Sequence, residues 1–152
     1  MELTKETRHY PAYLLELTTG LSRGELLALR WENTDLEPGT ILVKENLVKT
    51  KEGLIFQEPK TKTSKRVINL PSHVVAELKK HKKAQAEDRL RLGEEYENND
   101  LVVCREDGKP LNPRNFSKHF EKLESKLQAE GFPQITFHGL RHTFATLALQ
   151  SG

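Results

Sequence analysis

Apolar positions change their period several times along the chain, and each change predicts an element. Leu14, Leu15 and Leu17 follow Pro11, a residue suited to a first helical position, so Pro11 to Leu17 reads as a helix that Gly20 interrupts. Ser22 to Leu29 reads as the next helix: Ser22 and Glu25 have capping-box spacing, and Leu26, Leu29 and Trp31 fall where they can face a core. Pro38-Gly39 then turns the chain into an extended region. Ile41 to Val43, Leu47-Val48 and Leu54 to Phe56 predict strands, with Lys51-Glu52-Gly53 as a turn between two of them, and Arg66 to Leu70 adds another.

The second half is mainly helical. Ser72 is placed to cap a helix that uses Val75 and Leu78 on its inner face and runs toward Leu90. Leu101 to Cys104 predicts a short buried strand closed by the Asp107-Gly108 turn. Asn112-Pro113 starts a helix whose Phe116, Phe120, Leu123 and Leu127 recur at spacings of one apolar stripe. That stripe is core rather than a cofactor site. Phe132-Pro133 breaks the pattern, and a last helix begins near His138. The expected class is α+β, mainly α, one domain over residues 1–152 with a small antiparallel sheet of about three strands.

Composition narrows the picture only a little. The 152 residues suit one domain with its own core. No apolar run approaches membrane-spanning length, so no membrane association is expected. Cys104 is the single cysteine, which permits no internal disulfide and suits a reducing compartment. A net charge of +2 does not identify a nucleic-acid binder. The distribution says more: Lys60, Lys62, Lys65 and Arg66 sit together, as do Lys79, Lys80, Lys82 and Lys83. For the second group a solvated helix face explains the run as well as a binding patch does.

The candidate chemistry begins with His138 and Arg141. Three residues apart at a helix start, they can both face one small anion: the guanidinium is a planar fork of donors for phosphate oxygens, and the imidazole can donate or move a proton. Far upstream stands Thr18-Thr19-Gly20-Leu21-Ser22-Arg23-Gly24-Glu25-Leu26-Leu27-Ala28-Leu29-Arg30-Trp31. Between the two lies a lysine-bearing hairpin, Pro59 to Arg66.

In that order the three segments resemble the tyrosine recombinase family, the phage-type integrases. The resemblance implies a mostly helical domain around a small antiparallel sheet, with the active site on a basic concave face. It also implies DNA strand cleavage and rejoining without metal or cofactor: a tyrosine attacks the scissile phosphate, giving a 3′-phosphotyrosyl link and a 5′-hydroxyl. On this sequence Arg141 would hold a non-bridging oxygen, and His138 would hydrogen-bond the phosphate or pass a proton. Lys62, with Lys60 as second choice, would protonate the leaving oxygen. Glu25 matches the acidic residue that helps hold the site together, and is at once a helix-capping glutamate. Lys65, Arg66, Arg23 and His142 are expected to contact the DNA backbone or to support the site, with solvent exposure the plain alternative for Lys65 and Arg66. Double-stranded DNA is the expected partner, the full-length protein is expected to assemble as a tetramer on it, and the setting would be a bacterial cytoplasm.

Two departures stand out. The family pattern Gly-Leu-Arg-x-x-Glu carries its first phosphate-clamping arginine where Ser22 stands here, and Arg23 is one position further round the helix. The family also continues past His-x-x-Arg to the nucleophilic tyrosine, while Tyr10, Tyr13 and Tyr96 all precede the motif. The expectation is therefore a catalytic-domain piece without the nucleophile segment or the N-terminal core-binding domain, monomeric and inactive by itself. A DNA-binding relative that no longer catalyses is the main alternative. A metal-dependent hydrolase built on His138, His142 and Cys104 fits poorly, because Gly139 stands where a zinc-protease glutamate belongs and Arg141 would repel the cation. A plain structural module leaves the spaced basic motifs without a role.

Overall fold

The computed structural model describes residues 9–59 and 65–129; residues 1–8, 60–64 and 130–152 lie outside it, and so does the helix expected near His138. The first helix, α1 (Tyr10–Thr19), has Pro11 in its first turn and ends on Gly20, which takes the left-handed φ of 71° and donates its N–H to the Glu16 carbonyl. Helix α2 (Arg23–Ala28) follows after the extended Ser22. A 3-10 turn, Trp31–Asn33, leads into five strands: β1 (Thr34–Asp35), β2 (Thr40–Val43), β3 (Asn46–Thr50), β4 (Gly53–Gln57) and β5 (Arg66–Asn69). Then come α3 (Ser72–Leu92), a 3-10 turn (Gly93–Glu95) and α4 (Pro113–Ala129).

The strands form two antiparallel units. One is a three-stranded sheet in the order β1-β2-β5, registered by Ile41↔Ile68 and Val43↔Arg66; the other is the β3-β4 hairpin, registered by Leu47↔Phe56. Among the described residues β5 pairs with β2 and not with β4; the lysine-bearing hairpin expected between them falls mostly on residues 60–64, outside the described residues. Burial explains the choice. In β2, Ile41 and Val43 are buried while Leu42 between them is exposed, and β5 turns Val67 outward, so pairing the two strands keeps one apolar face on the core.

Three local expectations change. Ser72 is the first helical residue of α3, and Pro71 holds the capping position with no side-chain hydrogen bond; Val74, rather than Val75, is fully buried beside Leu78. Leu101 to Cys104 is buried as expected but is no strand, making only one isolated bridge, Arg30↔Leu101. Its carbonyls are taken by side chains of α3 instead: Gln85 Nε2 donates to the Leu101 and Val102 oxygens at 3.2 and 2.9 Å, and the Val102 oxygen also accepts from His81 Nε2.

The core lies where α1, α2, α3 and α4 meet the inner faces of β2 and β3. Leu15, Leu26, Leu27, Ile41, Leu47, Val74, Leu78 and Phe116 fill it. The α4 stripe is confirmed as core through Phe116, Phe120 and Leu123, with Tyr13 packed on both phenylalanines; the Leu127 side chain lies outside the described residues. Each such large side chain stabilises the fold by about 1.5–3 kcal/mol through burial. Their joint effect is to fix α2 against β3 and β5, where the candidate chemistry sits.

Candidate functional site

Ser22 stands at the N-cap of α2 with extended backbone (φ −68°, ψ 161°). Its Oγ accepts the Glu25 N–H at 3.2 Å, and Glu25 Oε1 accepts the Ser22 N–H at 3.0 Å, which closes the capping box that the spacing predicts. The same carboxylate then reaches across the molecule. Arg66, the first residue of β5, donates through Nη1 to Glu25 Oε2 at 2.8 Å and through Nη2 to Oε1 at 3.1 Å. This fork-to-fork pair ties two motif segments that lie 41 residues apart. Burial raises the Glu25 carboxyl, but the Arg66 fork and the Ser22 donors outweigh it and hold the group below its ordinary value. The Glu25 hydrogen bonds push the Arg66 guanidinium upward in turn.

Gly24 makes the arrangement possible. A Cβ built there would stand 1.8 Å from Asn46 Oδ1 and 3.0 Å from the Leu47 carbonyl oxygen, so only glycine lets α2 lie this close to β3. Arg23 points another way: its Nη1 donates to Ser117 Oγ on α4 at 2.8 Å, and its side chain is exposed. Ser22 and Arg23 both line an open cleft of about 900 Å³ between α2, β3 and the start of α4. Lys65 is exposed, immediately before β5. Lys60, Lys62, His138, Arg141 and His142 lie outside the described residues, so the structure brings together Ser22, Glu25 and Arg66 and leaves the other expected positions untouched.

Tyr13 lacks the setting of a nucleophile. Tyr13 is 3% exposed in the aromatic cluster, and burial pushes its hydroxyl up to about 12, away from the phenolate form. Among the described residues no group of three or more His, Cys, Asp or Glu side chains is placed to hold a metal ion. Cys104 is buried and accepts a hydrogen bond from Gln85. No described helix is long and apolar enough to cross a membrane.

The Arg66 partnership was not visible in the sequence, because no spacing rule links residues that far apart. The one available signal was a basic residue opening a strand just after the lysine segment. Lys49 and Arg114, which line the cleft with Ser22, gave no sequence signal at all.

A family model described as the phage integrase family matches residues 1–152. The chain belongs to that family. This integrase-family domain is 33% identical over 163 residues to a tyrosine recombinase XerC-like protein of Caldanaerobacter subterraneus subsp. tengcongensis, covering 99% of this chain and 41% of that protein. It is 30% identical over 148 residues to the integrase of Mycobacterium phage D29, covering 95% and 37%. The chain thus spans less than half the length of these relatives. Its fold matches the Tn1549 transposon integrase solved with transposon right-end DNA, at a TM-score of 0.81 and 23% identity, over 99% of this chain and 50% of that one. XerA recombinase shares the fold at a TM-score of 0.69 and 24% identity, over 98% and 46%.

Proposed function

We propose that this integrase-family domain serves a site-specific DNA recombinase, which integrates or excises a mobile element by cutting and rejoining strands through a 3′-phosphotyrosyl intermediate. Its substrate is double-stranded DNA, bound by a tetramer in the full-length protein, in a bacterial cytoplasm. The observation that carries the reading is the Ser22–Glu25–Arg66 junction. It draws the helix-capping motif and the strand that follows the lysine segment into one small charged site. Family membership and the fold shared with DNA-bound integrases support it.

In this scheme each residue has a separable task. Arg141 clamps a non-bridging oxygen of the attacked phosphate, and His138 donates to that phosphate or relays a proton. Lys62 protonates the leaving 5′-oxygen, with Lys60 the other candidate, while Lys65 and His142 support the DNA contact. Glu25 holds β5 against α2 through Arg66, four positions after Lys62 in the sequence. The chemistry is electrostatic stabilisation of a phosphoryl centre plus proton transfer, and the protein–DNA ester conserves the bond so that the strands can be resealed.

The deciding experiment uses a chain that carries this domain together with a downstream tyrosine segment, offered a nicked suicide DNA substrate. A covalent protein–DNA adduct is expected, and Arg141→Ala should abolish it with the fold intact. A normal adduct yield from Arg141→Ala would remove that residue from the site. A second reading, DNA binding without catalysis, is favoured by one observation: the position expected to carry a charged fork holds Ser22, whose hydroxyl caps α2. Adduct formation by the chain with Ser22 in place would exclude that reading. No adduct even after Ser22→Arg would support it.

A further inference from the structure

Strand β4 ends at Gln57 and β5 begins at Arg66, so the two strands bracket the lysine segment. They belong to different antiparallel units and do not pair among the described residues. Where one strand stands against the other then depends on what else each is attached to. Helix α2 and its exit supply an attachment to both. Glu25 holds the start of β5 through Arg66, and Arg30, two residues past the end of α2, reaches β4.

Arg30 meets three segments at once. Its Nε donates to Glu45 Oε2 at 2.9 Å, its Nη1 donates to the Asn99 carbonyl oxygen at 2.8 Å, and its Cζ lies 4.4 Å from the centre of the Phe56 ring. Glu45 stands between β2 and β3; Phe56 is in β4, registered against Leu47 of β3. The Arg30 and Glu45 side chains are only 21% and 20% exposed, so solvent competes little for these contacts. The backbone beneath is fixed as well, because the Arg30 carbonyl accepts the Asn33 N–H at 3.1 Å and the Thr34 hydroxyl at 2.9 Å. A planar cation with acceptors on its edge and a ring against its face has one orientation, which an ammonium could not reproduce.

We propose that Arg30 is a positioning residue for protonation of the leaving 5′-oxygen: it fixes the end of β4 from which the chain runs on to Lys60 and Lys62. The proposal rests on the recombinase reading and adds to it a residue that acts through the general acid. In the step concerned, the tyrosine oxygen bonds to phosphorus and the bond from phosphorus to the 5′-oxygen breaks. The lysine ammonium gives that oxygen its proton and becomes a neutral amine. Such a transfer is steep in geometry, and a displacement of about 1 Å can cost about 100-fold in rate.

The test uses a chain that carries this domain together with a downstream tyrosine segment, and two suicide duplexes that differ in one atom. The leaving 5′ atom is oxygen in one and sulfur in the other. A thiol has a pKa of about 8.5, so the sulfur departs as a thiolate and needs no general acid. Arg30→Met should slow adduct formation on the oxygen duplex by about 10- to 100-fold and leave the sulfur duplex near the rate of the unmodified chain. Arg30→Lys keeps the charge and loses the fork and the ring contact, so it should show the same selective loss. Gln85→Leu, which weakens the fold without touching β4, should leave the ratio of the two rates unchanged. Duplex affinity should be the same in all four chains. Equal losses on both duplexes would reduce Arg30 to a structural role and overturn the proposal, as would a normal rate for Arg30→Met on the oxygen duplex; the recombinase reading would stand in either case. Failure of the unmodified chain to form an adduct with either duplex would overturn both.

Discussion

Replacing Glu25 removes acceptors for three donors at once: the Ser22 N–H and both Arg66 terminal nitrogens. The Arg66 side chain is 39% exposed, so solvent screens the pair and the ion-pair share of stability is up to about 1 kcal/mol. Because the Glu25 carboxyl lies below its ordinary value in the folded protein, its contribution is present above the unfolded pKa of about 4.3 and is lost as pH falls through the lower folded pKa. Glu25→Gln should therefore cost about 1 kcal/mol at neutral pH, and its deficit should shrink toward zero under acid; urea midpoints measured across the acid range check this. Gly24 sets a stricter limit. A methyl there overlaps the Asn46 side chain, so Gly24→Ala should cost about 1–3 kcal/mol and lower the melting temperature, unless Asn46 can swing clear.

At the scale of elements, the stretch from Leu101 to Cys104 is held by two side chains of α3, Gln85 and His81, and by the Leu29 carbonyl that accepts the Val102 N–H. Gln85 is 8% exposed; its amide nitrogen donates to the Leu101 and Val102 carbonyls, and its oxygen accepts the Trp31 indole N–H at 2.8 Å. The residue thereby satisfies a buried segment that has no partner strand and ties it to the 3-10 turn after α2. Gln85→Leu keeps the volume and strands those groups, at a cost of about 1–3 kcal/mol. Hydrogen exchange should then quicken in residues 101–104 before it does in α1. Exchange that stayed slow in that stretch would mean other groups hold it.

For the molecule as a whole, stability resides in the layer where the helices meet β2 and β3. Phe116 is 1% exposed at its centre, touching Tyr13 and linking α4 to α1, and Phe116→Ala should cost about 3–5 kcal/mol. Leu90 is 85% exposed on α3, and Leu90→Ala should stay within about 0.5 kcal/mol. Denaturation midpoints of the two variants compare them directly. A large loss at Leu90 would mean that this face of α3 is covered in solution.

Local chemistry was enough to read α1, the capping box of α2 and the α4 stripe, though not the cap of α3, because a capping box, a left-handed glycine and a 3.6-residue period each act over a few residues. The motifs also pointed to Glu25 as a site residue and to Ser22 as a departure, while Arg66 was expected on the DNA backbone or in solvent. Local chemistry could not choose between strand partners, and proximity in the chain suggested one sheet where folding made two: β2 reaches past the β3-β4 hairpin to β5, where Ile41 pairs with Ile68 on the inner face and Leu42 with Val67 on the outer one. Nor could it join Glu25 to Arg66, or gather Arg23, Lys49 and Arg114 around one cleft. Those meetings cost loop closure and are repaid by buried surface, so they depend on how distant faces pack and not on any residue's neighbours in the chain.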